Sequence, residues 1–195
     1  KVLHAFPKTV TIEFGSGCLG KDGKMQSGKM VTVFSGPMLV PGSQATTTFV
    51  DYHVDSFAVE GTCTIENAST SNQQAWNAVV TNGKISNTQS GKWIAWSGTR
   101  DHVQTEGNGT PLYPLDDVYQ VTGNSSGSNS AGNSWSTTIT QPVIREFSCR
   151  WRVQGVIQLV LNSGAHTVLL DYGNGSCDNK AVLTIDGVSY NITLY

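Results

Sequence analysis

The sequence predicts an all-β fold, an antiparallel meander of about twelve strands that forms a sandwich or an open barrel. Three observations predict it. Valine, isoleucine and threonine account for 50 of the 195 residues, and β-branched side chains fit a pleated strand better than a helix. Apolar and polar residues alternate strictly in several segments, and turns rich in Gly, Asn and Asp separate those segments. No long helical period occurs, and only a short helical turn is expected at Ala68–Ala75.

The alternation of apolar and polar residues is strictest in four segments. A strand with one buried face produces this pattern, because successive side chains point to opposite sides of the sheet. The four segments are Thr9–Phe14, Phe57–Ile65, Cys149–Leu161 and Val188–Leu194. Weaker patterns between turn signals predict the other strands, at Lys29–Ser35, Ala45–Val54, Trp76–Ser86, Lys92–Arg100, Asp117–Gly123, Ser134–Thr140, His166–Tyr172 and Lys180–Ile185.

Dipeptides that accept a positive φ predict the turns. Asp186-Gly187 predicts a two-residue hairpin, and Asn82-Gly83 predicts another inside Trp76–Ser86. Two segments are expected to be loops: Thr105–Asp116, which contains two prolines, and Asn124–Asn133, a mobile hairpin tip. Similar strand patterns lie on both sides of each loop, so residues 1–195 are expected to form a single β domain.

The charge of the chain excludes some classes of partner. Charged residues make up 13% of the chain, against about 25% in a typical globular protein. The formal net charge is −2, from 12 basic and 14 acidic residues. A nucleic-acid partner is not expected, because phosphate binding needs a concentrated basic face. No run of 18 apolar residues occurs, so no transmembrane helix is expected.

The cysteines indicate the compartment. No two of them form a C-x-x-C pair, which argues against a zinc site. Scattered cysteines, low charge and many Thr, Ser and Asn residues are typical of an exported protein. We expect a Cys149–Cys177 disulfide, because the intervening strand returns the chain to the same end of the sheet, with Cys18–Cys63 as the complementary pair. The alternative is that one or both pairs remain reduced core thiols.

Two segments of the chain repeat one pattern. Ile12–Cys18 and Leu170–Cys177 both run through an apolar residue, an acid, an aromatic residue and Gly-x-Gly to a cysteine. A strand is expected to follow each Gly-x-Gly, whereas a nucleotide-binding loop leads into a helix. A nucleotide site is therefore not expected at either position.

These residues carry a resemblance to a protein family. Thr9–Gly23 (TVTIEFGSGCLGKDG) and Leu170–Leu194 (LDYGNGSCDNKAVLTIDGVSYNITL), with the strands Lys29–Ser35 and Val59–Ile65, resemble uncharacterised secreted proteins of Bacteroidota-type bacteria, many of them predicted lipoproteins. DYGNGSCDN is the most distinctive part. The resemblance implies export and a lipid-anchored N-terminus, and it implies no activity. The four cysteines lie inside the domain, so the lipid anchor is expected outside this sequence.

The sequence carries no catalytic signature. It has no G-x-S-x-G nucleophile elbow. The histidines are isolated, and Asp101 is not expected to orient His102, because adjacent strand residues point to opposite sides. No pair of acids, Asp116-Asp117 included, stands out as a glycosidase pair. The chain is expected to be neither an enzyme nor a cofactor binder, and a glycoside hydrolase is the remote alternative.

Two groups of residues are candidates for binding. Exposed aromatic rings stack on sugars, and the candidate residues for this are Trp93, Trp96, Tyr113 and Tyr119. Oxygen ligands on a Gly-rich turn suit calcium, and the candidate metal ligands are Asp171, Asn174 and Asp178. The alternatives are core packing for the aromatic residues and local turn hydrogen bonds for the acids and the amide.

Taken together, these observations predict a non-catalytic exported domain of the cell envelope with a role in binding or surface structure. It is expected at the outer membrane, in the periplasm or at the cell surface, and to contact a membrane only through the lipid anchor. The partner is expected to be a glycan or another envelope protein, and a carbohydrate-binding module is the main alternative.

Overall fold

A computed structural model describes residues 5–110 and 112–194 as an all-β protein. Two 3₁₀ turns, Pro114–Asp116 and Asn162–Gly164, interrupt the strands. The first six strands are β1 (Lys8–Leu19), β2 (Met25–Phe34), β3 (Gln44–Val54), β4 (Phe57–Asn67), β5 (Ala75–Asn87) and β6 (Trp93–Glu106). The other six are β7 (Val118–Asn129), β8 (Ser134–Glu146), β9 (Gln154–Leu161), β10 (His166–Asn174), β11 (Lys180–Ile185) and β12 (Val188–Thr193).

The predicted antiparallel meander of about twelve strands is confirmed. The strands form one sheet in the order of the sequence, and the sheet is not closed. The predicted hairpin at Asp186-Gly187 joins β11 to β12, and both residues have positive φ, 47° and 87°. β1 and β12 are the two ends of the strand order.

The chain divides into two compact units. Unit 1 consists of Lys1–Asn67, Ala78–Gly98 and Gly127–Gly132. Unit 2 consists of Ala68–Asn77, Thr99–Ser126 and Asn133–Tyr195.

Several boundaries differ from the predicted ones. The helical turn expected at Ala68–Ala75 is absent, because the Ala68 amide donates to the Ala75 carbonyl and closes an irregular loop. Asn82-Gly83 is not a hairpin, since β5 runs through it and Asn82 forms a positive-φ irregularity inside the strand. The expected mobile tip Asn124–Asn133 is strand as far as Asn129.

The predicted strand Cys149–Leu161 begins only at Gln154. Before that residue the backbone turns, since the Cys149 amide donates to the Glu146 carbonyl at 3.1 Å. Cys149 and Trp151 alternate with polar residues as in a strand, but a disulfide and a turn determine the local structure.

The best-buried apolar side chains of the described residues all belong to unit 2. Val153 is 1% exposed and Val143 is 4% exposed. The Val153 amide donates to the Ile144 carbonyl, and the Gly175 amide donates to the Val153 carbonyl. The segment before β9 is therefore hydrogen-bonded to both β8 and the turn after β10, and its residue Val153 belongs to the core of this unit.

In unit 1 aromatic side chains pack across β2. Phe14 of β1 and Tyr52 of β3 have ring centroids 5.5 Å apart, and Phe49 stacks on Tyr52 at 5.6 Å. The Tyr52 hydroxyl donates to Gln26 of β2 at 2.9 Å. These contacts connect three consecutive strands on one face of the sheet.

At Gly61 the backbone conformation and the space between β4 and β5 both require glycine. Its φ is +110°, and a Cβ there would lie 2.6 Å from the carbonyl oxygen of Asn82. The backbones of β4 and β5 approach each other so closely at this point that no side chain fits. By contrast, Gly91 has φ +68° with nothing within 4 Å of the corresponding position.

This comparison gives a prediction for two alanine variants. Gly91→Ala should cost about 1–2 kcal/mol, the strain of a left-handed alanine. Gly61→Ala should cost about 3 kcal/mol or more, since backbone contact adds to the strain. Urea unfolding of both variants measures the difference. Equal losses of unfolding free energy would show that the approach of β4 to β5 is not tight.

Candidate functional site

A polar hollow of about 510 Å³ lies in unit 2, where β10, β11 and β12 meet the turn after β10. The three residues predicted as calcium ligands all line it. Register explains part of this arrangement, since Asp171 pairs with Val182 and Val182 pairs with Asn191, which places these side chains on one face. The lining residues with polar side chains are Asp171, Tyr172, Asn174, Ser176, Asp178, Lys180, Asn191 and Thr193.

The oxygens of this hollow make local turn hydrogen bonds. Asp171 Oδ1 accepts from the Gly173 amide at 2.8 Å, and Asp178 Oδ1 accepts from the Lys180 amide at 2.9 Å. Asn174 Oδ1 accepts from the Ser176 hydroxyl at 3.4 Å. The described residues contain no group of three or more His, Cys, Asp or Glu placed to hold a metal ion. These bonds favour the alternative interpretation, local turn hydrogen bonding, over a calcium site.

The predicted Cys149–Cys177 disulfide is confirmed, with a Cα–Cα distance of 5.8 Å. It connects the segment before β9 to the turn that borders the hollow. Its presence is consistent with an exported protein.

The predicted Cys18–Cys63 disulfide is wrong, because both thiols are free. Cys18 lies on β1 and Cys63 on β4, with β2 and β3 between them. Three strand spacings span about 14 Å, whereas bonded cysteines have Cα atoms within about 7 Å. Cys63 is instead a partly buried thiol on its strand, which is the alternative that the sequence left open.

The predicted aromatic residues have different surroundings. Trp96 is half-buried and packs beside Gly83. Tyr113 is exposed in the loop before β7. Tyr119 is half-buried, with its ring 5.5 Å from that of Phe147 and its hydroxyl donating to Gln104 at 3.3 Å. Burial, with a smaller effect of Asp117, raises the pKa of Tyr119.

Trp93 lies at a second hollow, in unit 1. This hollow of about 560 Å³ lies between the start of β6 and the end of β7. The Trp93 carbonyl accepts from the Ser130 amide at 3.0 Å, which connects the two strands at this point. Its other lining residues include Ser90, Lys92 and Asn129. An indole beside an amide, an ammonium group and a hydroxyl is a combination that suits a sugar ring.

One pairing of an acid with a histidine escaped the sequence analysis. His166 Nδ1 lies 2.7 Å from Asp186 Oδ2, and Asp186 Oδ1 accepts from the Thr167 amide at 2.8 Å. The hydrogen bond from His166 is the main reason why the pKa of Asp186 is lowered. The pair fastens the β11–β12 hairpin to the start of β10, and the hairpin signal at Asp186-Gly187 was the only hint of it.

The surroundings of His102 were not predicted from the sequence either. Partial burial lowers the pKa of this imidazole, and the charges of Arg145, Arg152 and Arg100 lower it further against the opposing effect of Asp101. Three arginines therefore lie near one half-buried histidine. Two of them belong to the run R-E-F-S-C-R-W-R at 145–152, which was the available signal.

Comparison of the chain with protein-family models, with curated proteins and with solved structures finds no match. Among the described residues there is no α-helix long and apolar enough to cross a bilayer.

The disulfide gives a prediction about stability. Cys149→Ser should lower the free energy of unfolding by about 3.5 kcal/mol, the loop-entropy value for a closed loop of 28 residues. Cys18→Ser, at an exposed free thiol, should change it by less than about 0.5 kcal/mol. Urea unfolding without reductant measures both. An unchanged Cys149→Ser variant would contradict the stabilising role of this disulfide.

The lowered pKa of His102 gives a prediction about pH. Its stabilising contribution is fully present above the unfolded pKa, about 6.5, and is lost as the pH falls through the lower folded pKa. Wild type should therefore lose more stability than His102→Gln as the pH is lowered from about 7.5 to 5. Urea unfolding across this range, with an NMR titration of the imidazole, measures the effect. Parallel stability curves would refute it.

Proposed function

We propose that the chain is a non-catalytic, exported binding domain of the bacterial cell envelope. A lipid anchor outside this sequence attaches it at the outer membrane, in the periplasm or at the cell surface. The disulfide supports export, since it is stable in an oxidising compartment. The resemblance of Leu170–Leu194 to secreted lipoproteins supports the envelope location.

The hydrogen bonds of the acids in unit 2 support binding rather than catalysis. The carboxylates that line the hollow accept hydrogen bonds from their own turn, and the acid–histidine pair fastens a hairpin. These groups hold the backbone in place. A domain of this kind serves as a receptor for a glycan or for another envelope protein.

The hollow at Trp93 carries the more specific form of the proposal, a carbohydrate-binding module. Its indole lies on a strand rather than in a loop, so the ring is held in place before the ligand arrives. A positioned indole recognises the apolar face of a sugar, and the ammonium group of the neighbouring Lys92 can donate to its hydroxyls.

The test is a screen of soluble polysaccharides and a glycan array, read by binding and by tryptophan fluorescence. Trp93→Ala should weaken binding at least about tenfold, the equivalent of about 1.4 kcal/mol of lost stacking. Trp93→Phe should retain most of the affinity, because it keeps an aromatic ring. Tyr190→Ala, at an exposed aromatic residue of β12 that lines neither hollow, is the matched control and should bind as wild type does.

Two outcomes would contradict the proposal. No binding to any glycan would exclude the carbohydrate-binding form and leave a protein partner or a structural role. Release of reducing sugar by the purified protein would exclude a non-catalytic domain and favour the remote alternative, a glycoside hydrolase.

A further inference from the structure

All four arginines of the chain, at positions 100, 145, 150 and 152, belong to unit 2. Three of them, Arg100, Arg145 and Arg152, act electrostatically on His102, and Arg152 also acts on Tyr172. Arg150 does neither, and its guanidinium lies 4.9 Å from the centre of the Trp151 ring. We call the three arginines with His102 the arginine cluster.

Side-chain hydrogen bonds between β6, β7 and β8 place Arg100 and His102 of the arginine cluster on one face of the sheet. Arg100 of β6 donates to the Ser125 hydroxyl of β7 at 3.5 Å, and that hydroxyl lies 2.6 Å from the Thr137 hydroxyl of β8. Since alternate residues of a strand share a face, His102 lies on the same side as Arg100.

Ring contacts place Arg145 on that same face. Gln104, two residues after His102, accepts from the Tyr119 hydroxyl, and Tyr119 packs against Phe147. The Arg145 guanidinium lies 4.8 Å from the centre of the Phe147 ring. The Val153 amide donates to the Ile144 carbonyl. Because Arg152 precedes Val153 and Arg145 follows Ile144, both arginines adjoin this hydrogen bond. The arginine cluster is therefore held by three strands and by the disulfide-bonded segment.

None of the arginines of the cluster forms an ion pair within the described part of the chain. The ion pairs found there join Lys29 to Glu13, Lys84 to Glu60 and His166 to Asp186. Two acids adjoin the cluster in sequence. Asp101 accepts from the Asn77 amide at 2.6 Å and opposes the effect of the arginines on the pKa of His102. Glu146 follows Arg145 at the end of β8.

Like charges held together without a counterion oppose folding. Such an arrangement is favourable when a ligand supplies the missing anion. A guanidinium binds the two oxygens of a carboxylate in parallel, and a neutral imidazole can donate a further hydrogen bond.

We propose that the arginine cluster binds the carboxylate groups of an acidic glycan, a chain of uronic acid residues. This inference deepens the proposed function, on which it rests, by naming a class of glycan. A projecting carboxylate fits better than a flat lipid surface, because Arg100, His102 and Arg152 are half-buried and only a group that reaches inward meets them. Membrane-binding patches are instead built from fully exposed cations.

The test is titration calorimetry of the whole chain with polygalacturonate at low salt. Arg145→Gln and Arg152→Gln should each lower the affinity at least about tenfold, since each variant loses a charge-assisted hydrogen bond to a carboxylate. Arg150→Gln removes the same charge from an exposed position outside the arginine cluster and should change the affinity less than about twofold. Fully methyl-esterified polygalacturonate, which lacks the carboxylates, should not bind.

Four results would overturn the inference: no binding of polygalacturonate, equal binding of its methyl ester, equal losses in the Arg145→Gln and Arg150→Gln variants, or tighter binding to anionic lipid vesicles. Thermal melting of each variant separates a loss of affinity from a loss of folding. Binding of neutral glycans that depends on Trp93 would persist in each case, so failure here is distinguishable from failure of the proposed function.

Discussion

The Cys149–Cys177 disulfide is the constraint on which unit 2 depends. It joins the irregular segment before β9 to the turn after β10, and the backbone bonds of Val153 with Ile144 and Gly175 close the same contact. Most described side chains of this protein are half-buried or exposed. The best-buried one, Val153, belongs to the segment that the disulfide holds next to the turn after β10. The polar hollow lies beside the bonded turn, and Arg152 lies within the bonded segment.

The sequence predicted the features that depend on local pattern. The alternation of apolar and polar residues shows which face of a strand is buried, so the strands were predicted from it. The turn signals between strands predicted their antiparallel order, including the hairpin at Asp186-Gly187. The Cys149–Cys177 disulfide also followed, because one returning strand brings the two ends together. The same reasoning failed for Asn82-Gly83, since a dipeptide that accepts positive φ serves an irregularity within a strand as well as a hairpin.

The features that escaped prediction depend on register across several strands. The Cys18–Cys63 pairing was wrong because two strands lie between β1 and β4, a separation that the predicted meander order already implied. His166 and Asp186 are 20 residues apart and meet only because a hairpin folds back beside β10. The surroundings of His102 depend on the positions of β6, β7, β8 and the disulfide-bonded segment. No spacing in the sequence predicts these positions. The proposed binding surfaces therefore depend on sheet register.

The most direct test of the central role of the disulfide is native-state hydrogen exchange, with and without it. In the wild type the amides of Val153 and Gly175 should be strongly protected, because each donates to a backbone carbonyl in the contact that the disulfide closes. In Cys177→Ser both should exchange far faster, while the amides that pair β1 with β2 in unit 1 keep their protection. Unchanged protection of Val153 in the variant would contradict the account.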